Sequence, residues 1–246
     1  MLVLVYYISV MALTNTNTTH AGLRVIGHRG AKGLAPENTR ESFDAALTNN
    51  VDEIEFDVRI TKDGVAVIAH GTALTLGGKS YPIKTGNFAE LHALFPHLLT
   101  LDQALTQLKN TKPLIIEIKP GEPLQPVLSA VKTALANGQK ESLLSFASFD
   151  FKILKVLRES LPKAELIVNE RWSGVRASHR ARSIGATRLS MNQRWLWSGF
   201  IHSMSQGGFK LAAYTLNNPK KAQRWERAGL AAVITDFPDR FTTDAD

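Results

Sequence analysis

The feature that most constrains this chain is an alternation. Eight short β-rich runs are separated by stretches with helical spacing. The runs are Arg24–His28, Glu53–Val58, Leu114–Lys119, Leu143–Ser148, Glu165–Asn169, Thr187–Met191, Leu211–Leu216 and Ala232–Asp236. In Thr39–Asn49, Phe43, Ala46 and Leu47 sit at helical spacing behind an Asn/Thr cap, and Asn49 and Asn50 act as a stop. Phe151–Ser160 repeats the pattern with Ile153, Leu154 and Leu157, and Pro219–Ala228 opens with a proline in its first turn. Eight strands alternating with helices predict an α/β chain closed into a (β/α)8 TIM barrel, and 246 residues suit one such barrel. No internal repeat or long linker marks a second domain.

A further run, Val65–Ala69, breaks the alternation. Only Thr61-Lys62-Asp63-Gly64 separates it from the strand before. A parallel crossover needs a dozen or more residues, whereas Asp-Gly is a hairpin signal. Val65–Ala69 is therefore expected as an extra antiparallel hairpin strand after the second barrel strand.

The chemistry starts in Glu53-Ile54-Glu55-Phe56-Asp57-Val58-Arg59-Ile60. Alternation puts the four apolar residues on one face and Glu53, Glu55, Asp57 and Arg59 on the other. In a barrel the apolar face packs on helices and the charged face points inward. Inward carboxylates are costly unless paired or bound to a cation. Ile115-Ile116-Glu117-Ile118-Lys119 repeats the theme, with a carboxylate near the strand end and a cation two residues on. Barrel sites gather at the C-terminal rim. Three carboxylates there suit one hard divalent cation, Mg²⁺ or Ca²⁺. Pairing across the Asp-Gly turn places His70 roughly opposite Glu55 or Asp57. His28-Arg29-Gly30 follows the first strand, with His28 at the rim and Arg29 offering a planar fork for phosphate oxygens.

Composition narrows the partners. The chain is 44% hydrophobic and 21% charged, which is ordinary for a soluble globular protein. It has no cysteine, which excludes disulfides, thiolate metal sites and cysteine nucleophiles. The net charge of +7 serves solubility first and attraction of an anionic substrate second. Lys and Arg are scattered, with no basic stripe for nucleic acid. Residues 1–13 are apolar and the first basic residue is Arg24, so a secretory signal's positive start is missing. The apolar stretch is also too short to span a bilayer. The reading is a disordered or apolar leader over residues 1–21, a barrel over 22–246, no stable membrane insertion and a cytoplasmic location. Export is the alternative if residues 1–13 act as a signal, and Met11 is an alternative start.

With these residues assembled, the pattern resembles the glycerophosphodiester phosphodiesterase family. The matching motifs are Gly27-His28-Arg29-Gly30, Pro36-Glu37-Asn38-Thr39, Glu55-Phe56-Asp57-Val58, Thr61-Lys62-Asp63-Gly64 and His70, then Glu117-Ile118-Lys119-Pro120, Ser148-Phe149 and Ile234-Thr235-Asp236-Phe237-Pro238. The resemblance implies Glu55, Asp57 and Glu117 as metal ligands, His28 and His70 as an acid/base pair, and Arg29 and Lys119 as phosphate contacts. It further implies that Asn38, Ser148 and Tyr214 line the site, and that the partner is a small-molecule glycerophosphodiester. Asp236 is read as a strand-end support. The family commonly has His-Asp where this chain has His70-Gly71, and tryptophan where Tyr214 stands. The stretch from Gly71 to Leu101 is also short for the family's insertion.

The expected reaction is hydrolysis to glycerol 3-phosphate and an alcohol, with His28 as base and His70 as acid. The attacking oxygen is water or the substrate's own hydroxyl. One rival reading is a lysophospholipase D acting on lysolipids. Trp172, Trp195 and Trp197 are read as barrel packing, and in that rival they form part of an apolar surface. A second rival is a catalytically silent phosphodiester-binding barrel, motivated by Gly71 alone.

Overall fold

The computed structural model describes residues 22–241. The leader expected over 1–21 lies outside them. The elements run β1 (Arg24–Gly27), α1 (Arg40–Thr48), β2 (Glu53–Ile60), β3 (Ala66–Ile68), β4 (Ala73–Leu76), β5 (Lys79–Pro82), α2 (Phe88–Leu94), α3 (Leu101–Gln107), β6 (Leu114–Ile118), α4 (Gln125–Ala136), β7 (Leu144–Ser148), α5 (Phe151–Ser160), β8 (Glu165–Glu170), α6 (Gly174–Ser183), β9 (Arg188–Asn192), α7 (Ser198–Gln206), β10 (Lys210–Tyr214), α8 (Pro219–Glu226) and β11 (Ala232–Thr235).

Eight parallel strands close into a barrel in the order β1-β11-β10-β9-β8-β7-β6-β2, and β2 returns to β1 through Ile26–Glu53 and Gly27–Ile54. Helices fill the crossovers, so the architecture is the expected TIM barrel. β2 is longer than its barrel neighbours. Its first residues pair with β1, and Val58, Arg59 and Ile60 pair antiparallel with Ile68, Val67 and Ala66 of β3. The Asp-Gly hairpin is therefore present, built on the part of β2 that overshoots the barrel.

The segment after His70 holds more structure than its length suggested. It forms the β4–β5 hairpin and α2, over a small core that includes Val67, Ile83, Leu91 and Leu98. Gly77 and Gly78 make the turn with φ of 55° and 77°, as a two-residue primed turn requires. The strands are four residues each and mostly exposed, so they lack the apolar alternation that identifies strands in a sequence.

The local rules written in α1 show how the shell forms. Thr39 caps the helix by accepting from the Ser42 backbone N–H, and the Ser42 hydroxyl oxygen accepts from the Thr39 N–H. Phe43 and Ala46 are fully buried against the barrel, with Phe43 5.6 Å from the Phe56 ring. Burying a side chain of that size is worth about 2 kcal/mol. Asn49 caps the C-terminus and Asn50 follows in the left-handed region, φ 48°. On β2, Ile54, Phe56, Val58 and Ile60 join this helix-side core. Inside the barrel, Ile26, Ile115, Ile167 and Ile234 form a separate apolar cluster.

Beneath that cluster, at the N-terminal ends of β2 and β9, Glu53 is fully buried and bonded bidentately by Arg188, Nη1 at 3.0 Å and Nη2 at 2.8 Å. Arg24 adds a contact at 3.0 Å, and Arg188 also reaches Glu165 at 2.9 Å. A buried pair of this kind stabilises little, but removing one partner strands the other charge. Arg188→Met should cost about 3 kcal/mol in urea unfolding, and Glu53→Leu/Arg188→Met should recover part of that loss.

Candidate active site

The inward residues of β2 and β6 converge at the C-terminal rim. Oxygens of Glu55, Asp57 and Glu117 all lie within 4.8 Å of one another, and all three residues are buried. Parallel register explains the meeting, because Asp57 sits directly beside Glu117 across the β2–β6 ladder. The Lys119 ammonium bridges Asp57 and Glu117. Arg29 donates its backbone N–H to Glu55 Oε2 at 2.9 Å, and its guanidinium Nε lies 3.2 Å from Asp57 Oδ2 as an ion pair.

These contacts set the protonation of the cluster. Glu55 is pushed well above its ordinary value, first by burial and then by repulsion from Asp57 and Glu117. Burial also raises Glu117, against the pull of Lys119. Asp57 is lowered despite burial, because Lys119 and Arg29 attract its charge. Burial alone would lower Lys119, but Glu117 and Asp57 raise it. Three buried oxygen donors with too little positive charge around them fit a hard divalent cation. Glu55, Asp57 and Glu117 are the residues that could hold one.

The loop after β1 is bent to make this possible. Arg29 and Asn38 both adopt left-handed backbone, φ 52° and 60°, which is unusual for non-glycine residues. The Asn38 N–H donates to the Arg29 carbonyl at 3.0 Å, fixing the two against each other. Gly30, φ 81°, passes so close to α1 that a Cβ would lie 2.5 Å from Ser42 Oγ. Glu37 Oε2 accepts from Arg29 Nη1 at 2.7 Å and steadies the fork.

Both histidines line the same cavity, of ≈ 310 Å³, as the carboxylates. His28 Nδ1 lies 2.5 Å from Asp236 Oδ1. A carboxylate can only accept there, so the contact places the proton on Nδ1 and leaves Nε2 as an acceptor. Asp236 is held down to about 2: burial raises it, but hydrogen bonds from His28 and Asn217 prevail. Asp236 is thus more than the strand-end support the sequence suggested, because it orients an imidazole. The expected cross-strand position of His70 is only approximate. The β2–β3 ladder ends at Val58–Ile68 and is extended by one bond, Ala69 N–H to the Asp57 carbonyl at 3.0 Å. The His70 carbonyl accepts from Arg59 Nε at 3.0 Å. Its ring has no hydrogen-bond partner among the described residues. Desolvation lowers it to about 4, with Lys119 and Arg29 adding to the effect and Asp57 opposing it.

Other expected residues fall in different places. Tyr214 lines the cavity and donates to the Glu170 carbonyl at 3.1 Å, with burial raising its pKa. Asn38 is buried behind the carboxylates, donating to Asp57 Oδ2 at 3.0 Å, so it acts through Asp57. Ser148 does not line the cavity. It is fully buried, donates to the Ile118 carbonyl at 2.7 Å and accepts from the Asp150 N–H at 3.0 Å. As the last residue of β7 it points away from the barrel interior, while Ala147 and Phe149 face the cavity. Asn169 was not anticipated, and it donates to Glu117 Oε2 at 2.9 Å. Its signal was its place near the end of a barrel strand. Trp172, Trp195 and Trp197 are 54%, 54% and 62% exposed, so the expectation of barrel packing fails. They stand in the segments after β8 and β9, Trp172 beside Arg176 of α6 and Trp197 beside Phe200 of α7.

A barrel whose C-terminal rim holds three carboxylates, two imidazoles and a guanidinium–ammonium pair defines a class: an enzyme for a phosphate ester. The comparisons narrow the class. A model described as the glycerophosphoryl diester phosphodiesterase family matches residues 28–240, and the chain belongs to that family. A glycerophosphodiester phosphodiesterase of Caldanaerobacter subterraneus subsp. tengcongensis is 26% identical over 230 residues, covering 87% of this chain and 94% of that protein. YhdW of Bacillus subtilis (strain 168) is 29% identical over 237 residues, covering 89% of this chain and 97% of its own. An Oleispira antarctica phosphodiesterase, solved in complex with the product sn-glycerol-3-phosphate, aligns with a TM-score of 0.79 and 26% identity over 89% of this chain and 95% of that one. Among the described residues no helix is long and apolar enough to cross a membrane.

Beside the site, Glu170 Oε2 and Oε1 accept from Arg176 Nε and Nη2 at 2.6 and 2.7 Å, and Oε1 accepts from the Arg171 N–H at 2.8 Å. Burial raises Glu170, but these donors hold it at about 2 against an ordinary 4.5. A depressed carboxyl stabilises the fold above its unfolded value, and that contribution fades as pH falls through the folded one. Glu170→Gln should therefore cost about 1–2 kcal/mol at neutral pH, allowing for the solvent around Arg176, and the difference should vanish near pH ~2 in urea titrations.

Proposed function

We propose that the chain hydrolyses glycerophosphodiesters to glycerol 3-phosphate and an alcohol, using a divalent cation and two histidines. One observation carries the reading: three buried carboxylates share a cavity with His28, His70, Arg29 and Lys119. The product bound to the Oleispira phosphodiesterase is the product this reaction yields.

Glu55, Asp57 and Glu117 would hold the cation, Mg²⁺ or Ca²⁺. When bound, it neutralises charge on the phosphoryl oxygens. Arg29 and Lys119 flank the phosphate from the protein side, in positions preset by their carboxylate contacts. His28 is the base. Asp236 fixes its tautomer, so Nε2 can take the proton of the attacking oxygen, and the carboxylate stabilises the imidazolium that forms. His70 is the acid. The anionic diester raises the affinity of its ring for a proton, which then passes to the leaving alcohol oxygen.

His28→Ala should lower kcat by about 10²–10⁴ with circular dichroism unchanged. Glu117→Ala should weaken Mg²⁺ and Ca²⁺ binding in calorimetry and lower activity in parallel, and a chelator should abolish turnover. Near-wild-type kinetics in either variant refutes the assignment. The two histidines separate on a p-nitrophenyl diester, whose leaving group needs no acid. His70→Ala should keep much more of its activity there than His28→Ala does.

The exposed Trp172, Trp195 and Trp197 favour a second reading, a lysophospholipase D-type enzyme using the same residues on a lipid-bearing substrate. Turnover of lysophosphatidylcholine above glycerophosphocholine would establish it.

A further inference from the structure

The catalytic cavity continues past His70 and Lys119 into a second chamber of ≈ 360 Å³, lined by Arg59, Phe149, Arg171, Trp172, Arg176 and Arg180 besides the shared residues. Its charge is lopsided. Arg59 is paired with Glu122 at 2.9 Å. Arg176 and Arg180 share one carboxylate, Glu170, at 2.6 and 3.9 Å. Arg171 has no carboxylate partner among the described residues. Counting the shared Lys119 and Glu117 as well, five cationic groups stand against three carboxylates, Glu117, Glu122 and Glu170. Arg171 also lines the catalytic cavity, so it stands at the junction of the two spaces.

The aromatic rings do not offset this. Trp172 and Phe149 are the surfaces on which a quaternary ammonium would rest. Guanidinium groups already lie near them: Arg171 at 5.9 Å from the Trp172 ring and 6.0 Å from Phe149, and Arg176 at 5.7 Å from Trp172. A cationic head group entering here meets like charge on rings that are already occupied.

We propose that this chamber is the leaving-group subsite, and that it selects diesters whose leaving alcohol carries a second negative charge, phosphate or carboxylate. The inference rests on the diesterase reading above and on the placement of His70 as acid, because the chamber opens beside that ring. Arg171 is the principal contact. Its fork is free to bind two oxygens, and the Glu170–Arg176 pair forms a fixed wall behind it.

The test compares kcat/KM for bis(glycerophospho)glycerol, glycerophosphoglycolate and glycerophosphocholine, which share the scissile bond and differ in the departing alcohol. The first should exceed glycerophosphocholine by about tenfold at low salt, and the ratio should shrink as ionic strength rises. Glycerophosphoglycolate, whose departing glycolate carries a carboxylate and no ammonium, separates the two anion sources: a preference for it as well shows that a carboxylate suffices, and a preference for the first diester alone assigns the chamber to phosphate. In Arg171→Gln the anionic-to-cationic ratio should fall by about tenfold, and in Arg171→Lys it should fall less. Arg171 is exposed, so both variants should fold. Equal kcat/KM for all three diesters in the wild type overturns the proposal while leaving the diesterase reading intact. An unchanged ratio in Arg171→Gln overturns it as well. No turnover of any diester would fail the underlying reading and this one with it.

Discussion

The crowding of Glu55, Asp57 and Glu117 at one end of the barrel sets the terms for everything around it. Like charges this close, removed from water, repel strongly, and protein dielectric screening reduces that repulsion only in part. The chain answers with Lys119 between two of them and Arg29 across the other side. Two cations against three anions leave the cluster short of positive charge. Such a deficit suits a divalent cation, which the three carboxylates could hold. The same two cations that make the crowded acids tolerable also hold them in one arrangement.

The scaffold concentrates its irregular backbone where that cluster needs support. Arg29 and Asn38 carry left-handed backbone within one loop, and each turns a polar group toward a β2 carboxylate. The regular elements supply the opposing support. The ladder between β2 and β6 sets Asp57 beside Glu117. The buried Glu53–Arg188 pair ties the bottom of β2 to the far side of the barrel. The site is thus gripped from its loop, its ladder and its floor.

Much of this was legible in the sequence, for physical reasons that differ by residue. The eight strand–helix alternations and the inward acids of β2 follow from periods that any strand or helix must obey. His70 was legible because an Asp-Gly turn admits so few geometries. What stayed hidden depends on contacts between distant segments. Asp236 looked like a strand end because its partner, His28, is 208 positions away in the chain. Ser148 sits between two cavity-lining positions, Ala147 and Phe149, and only strand parity turns those two inward and Ser148 away. The β4–β5 hairpin has too little apolar pattern to announce itself. Trp172, Trp195 and Trp197 show the limit of composition, since residue type alone does not tell a rim segment from a barrel-packing one.

One detail of the chain path has a wider reach. The Ile68 N–H donates to the Leu99 carbonyl at 2.8 Å, and Val67 bridges to Thr100, so the excursion that begins after His70 comes home beside its own starting point. Its two ends are stapled to β3, and β3 is stapled to β2. Inside it, Ile83 and Leu91 pack on Val67 and Ala69, so the excursion also supports the strand that leads into His70. Only its exposed tip, the Gly77-Gly78 turn, stands clear of that core, and insertions there would leave His70 and the acids in the same relative positions.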